Sequence, residues 1–544
     1  MSETPSPPSP PRLLLTVALA WLLLAVLFGV TGPWRIGVVL ISRWEVIILL
    51  GFVAAGLVLI LHRASRAFAA QVLDTEIHLS RAHIALLFSI SALLLVRTTV
   101  AKFHALEVNA WDFSLYFDRP IEATLRGRLL WSEYIGMPTL GNHCGWLLLA
   151  FVPLYAIAAT PYWLVIAQAL AIAAAGVAAF FLFRALDADD FIAVTLALVF
   201  VLNHYTAKAV QYVFHIEIFY PLGLFVLFYA FIKRRWVLFA VALLLTLSIK
   251  EDAIVPLSGF VLTAAVVYRR WRVAAATIAV SLAVFLVDYF VVLPHFSGQT
   301  SSAPWYSGYW GSYGASPLEA APGLLLAPLR VVSRVGAGAL ELFASFALVP
   351  LAGFQWLLAA LPPLLVYGSS DFEMLRSFAL YYSMPLLPAI FAALPDGLRR
   401  IARLLRPGSE RRRRRLIAVI VLVVSVAMGS GYELDAPRGE RHRIRPLVES
   451  SRAARLLIQG SLMPHAGYDD KVRVLDRPVP SPDGTTAYLL CSDCNPYPFT
   501  AAEIRALETR LARDDRYAAV SAGAVMRFTP HRDLEIGTSP RRLP

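Results

Sequence analysis

Charge is scarce in this sequence. Only 16% of its 544 residues are Asp, Glu, Lys or Arg while 58% are hydrophobic, too few polar groups to clothe a soluble globule of this length. An ordinary soluble enzyme is excluded, and lipid must cover much of the surface. Cysteine is scarcer still. Cys144, Cys491 and Cys494 cannot staple a disulfide-dense fold and have no metal-finger spacing. Acid is outnumbered by base, 37 to 49, for a net charge of +12. Those cations are not interleaved with aromatics along one amphipathic surface but sit between apolar blocks, so no nucleic-acid partner is expected.

What the chain does have is apolar blocks, many of them about 15 to 25 residues long, the length a helix needs to cross a hydrocarbon core of about 30 Å. They predict an all-α polytopic membrane protein of about 13 transmembrane helices: 12–31, 38–62, 82–99, 162–184, 190–207, 216–232, 236–250, 252–268, 273–293, 336–353, 355–368, 379–395 and 416–430. Residues 1–11, rich in Pro and Ser, are expected to be a disordered cytoplasmic tail. The first block lacks a small-x-small cleavage site and reads as an uncleaved anchor. Residues 12–80 then form two helices and a cytoplasmic loop, 81–394 a transmembrane core with a long outer loop at 100–142, and 395–430 an Arg-rich cytoplasmic loop and the last helix.

Orientation follows from the basic segments, because short loops left in the cytoplasm carry the excess of Lys and Arg. Leu398 to Arg415 is the strongest, with Lys233 to Arg235, Arg269 to Arg272, and Arg63 with Arg66 agreeing. They form one alternating pattern if the apolar stretch from His143 to Tyr155, which contains Pro153, is a short or re-entrant helix at the outer surface. The protein is then multi-pass in the cell membrane, with its N-terminus cytoplasmic. The segments 99–142 and 294–334 and the corners at His215 and Glu251 all face outward.

Residues 431–544 follow the last span and are expected to be a small extracytoplasmic α/β domain. Lys471 to Asp476, Thr486 to Leu490 and Ala519 to Phe528 read as strands, and Thr500 with Glu503 as a capping box opening a helix through Leu511. Cys491 and Cys494 would be either a local disulfide or two ordinary thiols. The domain has neither a nucleotide loop nor a catalytic triad.

Ionisable groups beside apolar spans are costly and usually mark a site. Three clusters qualify. In Trp111-Asp112-Phe113-Ser114-Leu115-Tyr116, with Glu107 upstream, a carboxylate bracketed by aromatics gains basicity and the rings offer a sugar-binding face. His215 and Glu217 are two residues apart and share a face only if the chain turns between them; they suit either a substrate site or a structural pair. In Lys250-Glu251-Asp252 the ammonium is a candidate phosphate binder and either carboxylate can hold it or help bind a hydroxyl or metal. A self-neutralising turn is the plainer alternative. His143, Tyr381 and Tyr382 complete the candidates.

The order Trp111-Asp112-Phe113-Ser114-Leu115, His143, Pro153-Leu154-Tyr155, Phe214-His215-Ile216-Glu217 and Lys250-Glu251-Asp252-Ala253 resembles the bacterial membrane family called domain of unknown function 2079 (DUF2079), over roughly Arg81 to Leu394. Ala487 to Leu490, the helix after it and Tyr517 to Phe528 fit that family's usual tail. The family usually has His-Pro-Glu at His215-Ile216-Glu217, and often His-Tyr at Tyr381-Tyr382. In layout it resembles the C-type (GT-C) glycosyltransferases, membrane enzymes that use polyprenyl-phosphate sugars at the non-cytoplasmic face. That resemblance implies a GT-C-like core, Asp112 as catalytic base, and Glu107, Trp111, His143, His215, Glu217, Lys250, Glu251, Asp252, Tyr381 and Tyr382 around the substrate. It further implies a polyprenyl-phosphate sugar donor, an envelope glycan, lipid or protein as acceptor, the bilayer as surroundings, and inversion at the anomeric carbon. It fixes no cofactor with certainty, and a divalent metal is left open. The rival readings are a transporter or lipid flippase, against which no inverted repeat is evident, and a non-catalytic membrane scaffold.

Overall fold

The computed structural model describes residues 12–533 apart from 37–38, 299–304, 315–316, 406–407, 430–431, 434 and 480. The tail 1–11, expected to be disordered, lies outside the described residues. The chain is mostly helical, with a small sheet near its C-terminus.

Four helices are long and apolar enough to cross a membrane: Arg12–Gly29, Arg81–His104, Tyr162–Ala185 and Trp271–Ser297. Three bent pairs raise the number to seven if each counts as one span. Several of the thirteen expected spans are shorter helices here, because an apolar window does not register a break inside it. The block 336–353 ends as helix at Ala344 and resumes at Val349, since Ala347 and Leu348 take φ of 53° and 59°. The block 190–207 bends by 44° at Asn203, whose side chain caps the next helix by accepting from Thr206 N. The expected span 38–62 opens as a short strand, Val39–Ile41, and is helical only from Trp44. Leu387–Leu404 and Glu410–Ala427 both extend into the Arg-rich segment, leaving only a short connection between them. The stretch from Trp146 to Ile157 is a short apolar helix. Its 12 residues, a 3-10 helix to Phe151 followed by α-helix, reach about 21 Å, short of the full hydrocarbon thickness.

The helices share a polarity. Ile216–Ile232 starts beside His215 and Glu217 and ends at Lys233-Arg234-Arg235. Trp236–Leu247 returns to Lys250, and Ile254–Val266 runs from Asp252 toward Arg269 and Arg270. Leu387–Leu404 follows Tyr381 and Tyr382 and carries Arg399, Arg400 and Arg403. The basic ends are linked: Arg270 donates to Phe231 O, and Arg414 donates to Asp187 O at 2.9 Å, beside Arg399. Arg415 is fully buried there and donates to Asp189 at 3.1 Å and to the carbonyls of Val72 and Thr75. One end of the bundle is therefore basic, while the other gathers acids and tyrosines. Between them the helices meet through small residues. Gly259 lies so close to the Ala359 carbonyl that a Cβ would overlap it, the close approach that membrane helices use in place of a hydrophobic driving force.

The first polar segment is more ordered than a loop. Helix Arg81–His104 is followed by a π-helical turn at Phe113–Asp118, helix Arg119–Leu125 and a short hairpin pairing Trp131–Ser132 with Met137–Pro138. It packs on the C-terminal domain: Leu106 and Leu115 are buried in that domain's apolar cluster, and Asn495 N donates to Leu106 O at 3.1 Å. The domain is a five-stranded sheet. Leu456–Ile458 pairs in parallel with Val472–Val474 and Ala487–Leu490, and Val525–Pro530 pairs antiparallel with Ala487–Leu490 and with the edge strand Tyr517–Ala522. The single strand expected at 519–528 is thus a hairpin, turning at Gly523 with φ of 70°. The capping box of Thr500 and Glu503 is present, and Cys491 and Cys494 are joined as a disulfide.

Candidate functional site

At the acidic end, five stretches of chain converge on a cavity of about 300 Å³, within the size range of small-molecule sites. Asp112 comes from the turn before the π-helix and His143 from the entry to the short helix. His215 and Glu217 come from one helix corner, Lys250, Glu251 and Asp252 from another, and Tyr381 and Tyr382 from a 3-10 turn. Local backbone explains the two corners. His215 is extended, with φ of −133°, and a 3-10 turn begins at Ile216, so the chain does turn between His215 and Glu217 and their side chains meet at 3.0 Å. Lys250 is likewise extended before the 3-10 turn Glu251–Ala253.

Each carboxylate has its own partners. Lys250 Nζ donates to Glu217 Oε1 at 2.9 Å, with the two side chains only 13% and 6% exposed. A charge taken that far from water persists only when paired. Glu251 accepts from Cys144 N at 2.9 Å and lies 2.8 Å from His143 Nδ1. Asp252 accepts from Tyr220 at 2.6 Å and Tyr367 at 3.2 Å. Asp112 accepts from Tyr212 at 3.0 Å, and His215 Nε2 stands 4.0 Å from the same oxygen, Oδ2. The Asp112 side chain is 22% exposed against 6% for Glu217 and 3% for Glu251, so it is the more open to a ligand. Tyr381 stacks flat on the His215 ring with centroids 3.6 Å apart, and its hydroxyl donates to that of Tyr382 at 3.1 Å. Among the described residues no three His, Cys, Asp or Glu side chains are grouped to hold a metal ion.

Two of the candidates lie elsewhere. Glu107 pairs with Arg438 at 3.2 Å, and its carbonyl accepts from Asn495. Trp111 packs on Tyr134 and Tyr497, with its Cβ facing Gly460 of the C-terminal domain. Both therefore fix the domain against the core and do not line the cavity. Tyr212, Tyr220 and Tyr367, which hold Asp112 and Asp252, escape the sequence reading. A tyrosine at the end of an apolar run looks like an interfacial anchor, and nothing local relates Tyr367 to Asp252, 115 residues away.

Behind this wall Asp118 is buried and accepts from both Tyr155 and Tyr468 through Oδ1, each at 2.7 Å. Burial pushes its carboxyl up to about 6, although both hydroxyls favour the anion. The folded protein thus holds this proton more tightly than the unfolded chain does. Between about pH 4 and 6 the native state binds more protons, so stability falls as pH rises through that window. The loss from this group is expected to reach about 3 kcal/mol above pH 6. Asp118→Asn retains an oxygen for both tyrosines and should remove that slope. Unfolding measured against pH in lipid checks this, and an unchanged slope in the variant would contradict it.

A family model described as a predicted membrane protein (DUF2079) matches residues 102–431, a span that contains every residue lining the cavity and stops before the sheet of the C-terminal domain. None of the curated proteins compared with the chain matches it.

Proposed function

Since the chain belongs to the DUF2079 family of predicted membrane proteins, we propose that its cavity transfers a sugar from a polyprenyl-phosphate donor to a hydroxyl of an envelope glycan, lipid or protein. The observation that carries this reading is the convergence on one cavity of a solvent-reachable carboxylate, Asp112, and a buried cation, Lys250, held by Glu217. Lipid phosphate is already a good leaving group. Transfer then needs a base for the acceptor proton, a cation for the phosphate and in-line geometry.

Asp112 takes the proton as the acceptor oxygen bonds to the anomeric carbon, and the bond from that carbon to the phosphate oxygen breaks, its electron pair leaving with the lipid phosphate. Attack opposite the phosphate inverts the anomeric centre. Lys250 meets the developing phosphate charge, His215 steadies Asp112 from the side, and Tyr381 fixes the His215 ring by stacking. The basic end of the bundle faces the cytoplasm by the positive-inside rule, so the cavity and C-terminal domain are extracytoplasmic, in the core layout of GT-C enzymes. The placement at one end of the bundle also weighs against a transporter, whose site lies near mid-membrane.

Purified protein in lipid, offered a panel of polyprenyl-phosphate monosaccharides, is expected to consume at least one donor and release free lipid phosphate. Folded protein that turns over none of them would overturn the reading.

A further inference from the structure

A second cavity, of about 400 Å³, lies between the first polar segment and the C-terminal domain. Six cations line it: Arg119, Arg126 and Arg128 on one side, Arg455, Lys471 and Arg473 on the other. Three carboxylates, Glu122, Glu133 and Asp470, stand among them, so positive charge is in excess. Arg126, Arg128 and Arg473 are the cations those carboxylates engage, Arg126 at 2.8 Å from Glu122 and 2.7 Å from Asp470. Lys471 pairs with Asp469 at 3.2 Å. Among the described residues Arg119 donates only to the Gly467 carbonyl, at 2.9 Å, and Arg455 has no ion pair.

Two buried hydroxyls point the same way. Ser114 and Ser132 line this cavity at 0% and 2% exposure, and among the described residues neither Oγ has a hydrogen-bond partner. A buried hydroxyl left unmatched is costly, and here both adjoin an empty volume. Trp131 adds a flat apolar ring.

We propose that this cavity binds an anionic sugar, a glycosyl unit bearing a carboxylate or phosphate. Arg119 and Arg455 hold the anion, the Ser114 and Ser132 hydroxyls rotate from their buried positions to bond the sugar hydroxyls, and Trp131 lies against the ring face. The inference is independent of turnover in the first cavity, because binding is measured with no donor present.

The test uses the full chain in neutral phosphatidylcholine nanodiscs, titrated by calorimetry with glucuronate, glucose 6-phosphate, glucose and inorganic phosphate. Glucuronate and glucose 6-phosphate are expected to bind at least about ten-fold tighter than glucose or inorganic phosphate, and more weakly as salt rises. Arg455→Gln, which breaks no ion pair, should weaken both about ten-fold, with Ser132→Ala weakening them less. Equal binding of glucose, equal binding of inorganic phosphate, or no binding would overturn the proposal. So would displacement of the sugar by phosphatidylglycerol in the disc, which would mark a lipid headgroup site. Loss of binding in Asp112→Asn with retention in Arg455→Gln would place the ligand in the first cavity and equally overturn it.

Discussion

Asp112→Asn is expected to lower sugar transfer by about 10²- to 10⁴-fold, the usual worth of a general base, while leaving the protein folded. The substitution keeps shape, and its side-chain oxygen still accepts from the Tyr212 hydroxyl that binds Asp112 at 3.0 Å. What it removes is the capacity to take a proton. Because the interaction is realised mainly in the transition state, the loss should fall on kcat and not on donor KM. A variant retaining more than about a tenth of wild-type kcat would defeat the base assignment, since an amide cannot substitute for a carboxylate in this role. Thermal unfolding of the same preparation separates lost chemistry from lost structure.

The second large effect concerns stability. Glu217→Gln leaves the Lys250 ammonium buried without the carboxylate that sits 2.9 Å from it, and removing one partner of a buried pair typically costs about 3 to 5 kcal/mol. The low end, about 3 kcal/mol, is expected, because Asp252 and Glu251 also act on Lys250. Adding Lys250→Met should recover most of that loss, since the stranded charge goes with it. Equilibrium unfolding of wild type, both single variants and the double variant gives the coupling directly. A Glu217→Gln protein as stable as wild type would show that the pair does not carry the corner.

How much of this was legible in the sequence depends on the physics each residue answers to. Asp112, His215, Glu217 and Lys250 stood out because charge beside apolar runs is expensive, and the cavity does gather them. Glu107 carried the same signal and Trp111 that of an aromatic sugar face, but both serve the C-terminal domain, whose contacts with them are more than 300 residues away along the chain. The helices were readable from apolar blocks, whereas their breaks were not. Ala347 and Leu348 adopt a left-handed backbone with no glycine to announce it, and the strand Leu456–Ile458 is too short an apolar run to distinguish from helix. The structure supports a coarser count, four to seven spans, for the same reason: counting from sequence rewards continuous apolarity and is blind to where a helix stops.

Helix Trp236–Leu247 has a consequence for the lipid around it. Its 12 residues span about 18 Å, while the hydrocarbon slab is about 30 Å thick. Val237, Val241, Leu244 and Leu245 are all exposed on its outer side, where acyl chains must meet them. A bilayer responds to so short an apolar face by thinning beside it. The membrane surface therefore dips toward the Lys250 end of this helix, and under the proposed sugar transfer a donor phosphate in that dimple begins its approach several ångströms nearer the cavity than one in the undisturbed leaflet.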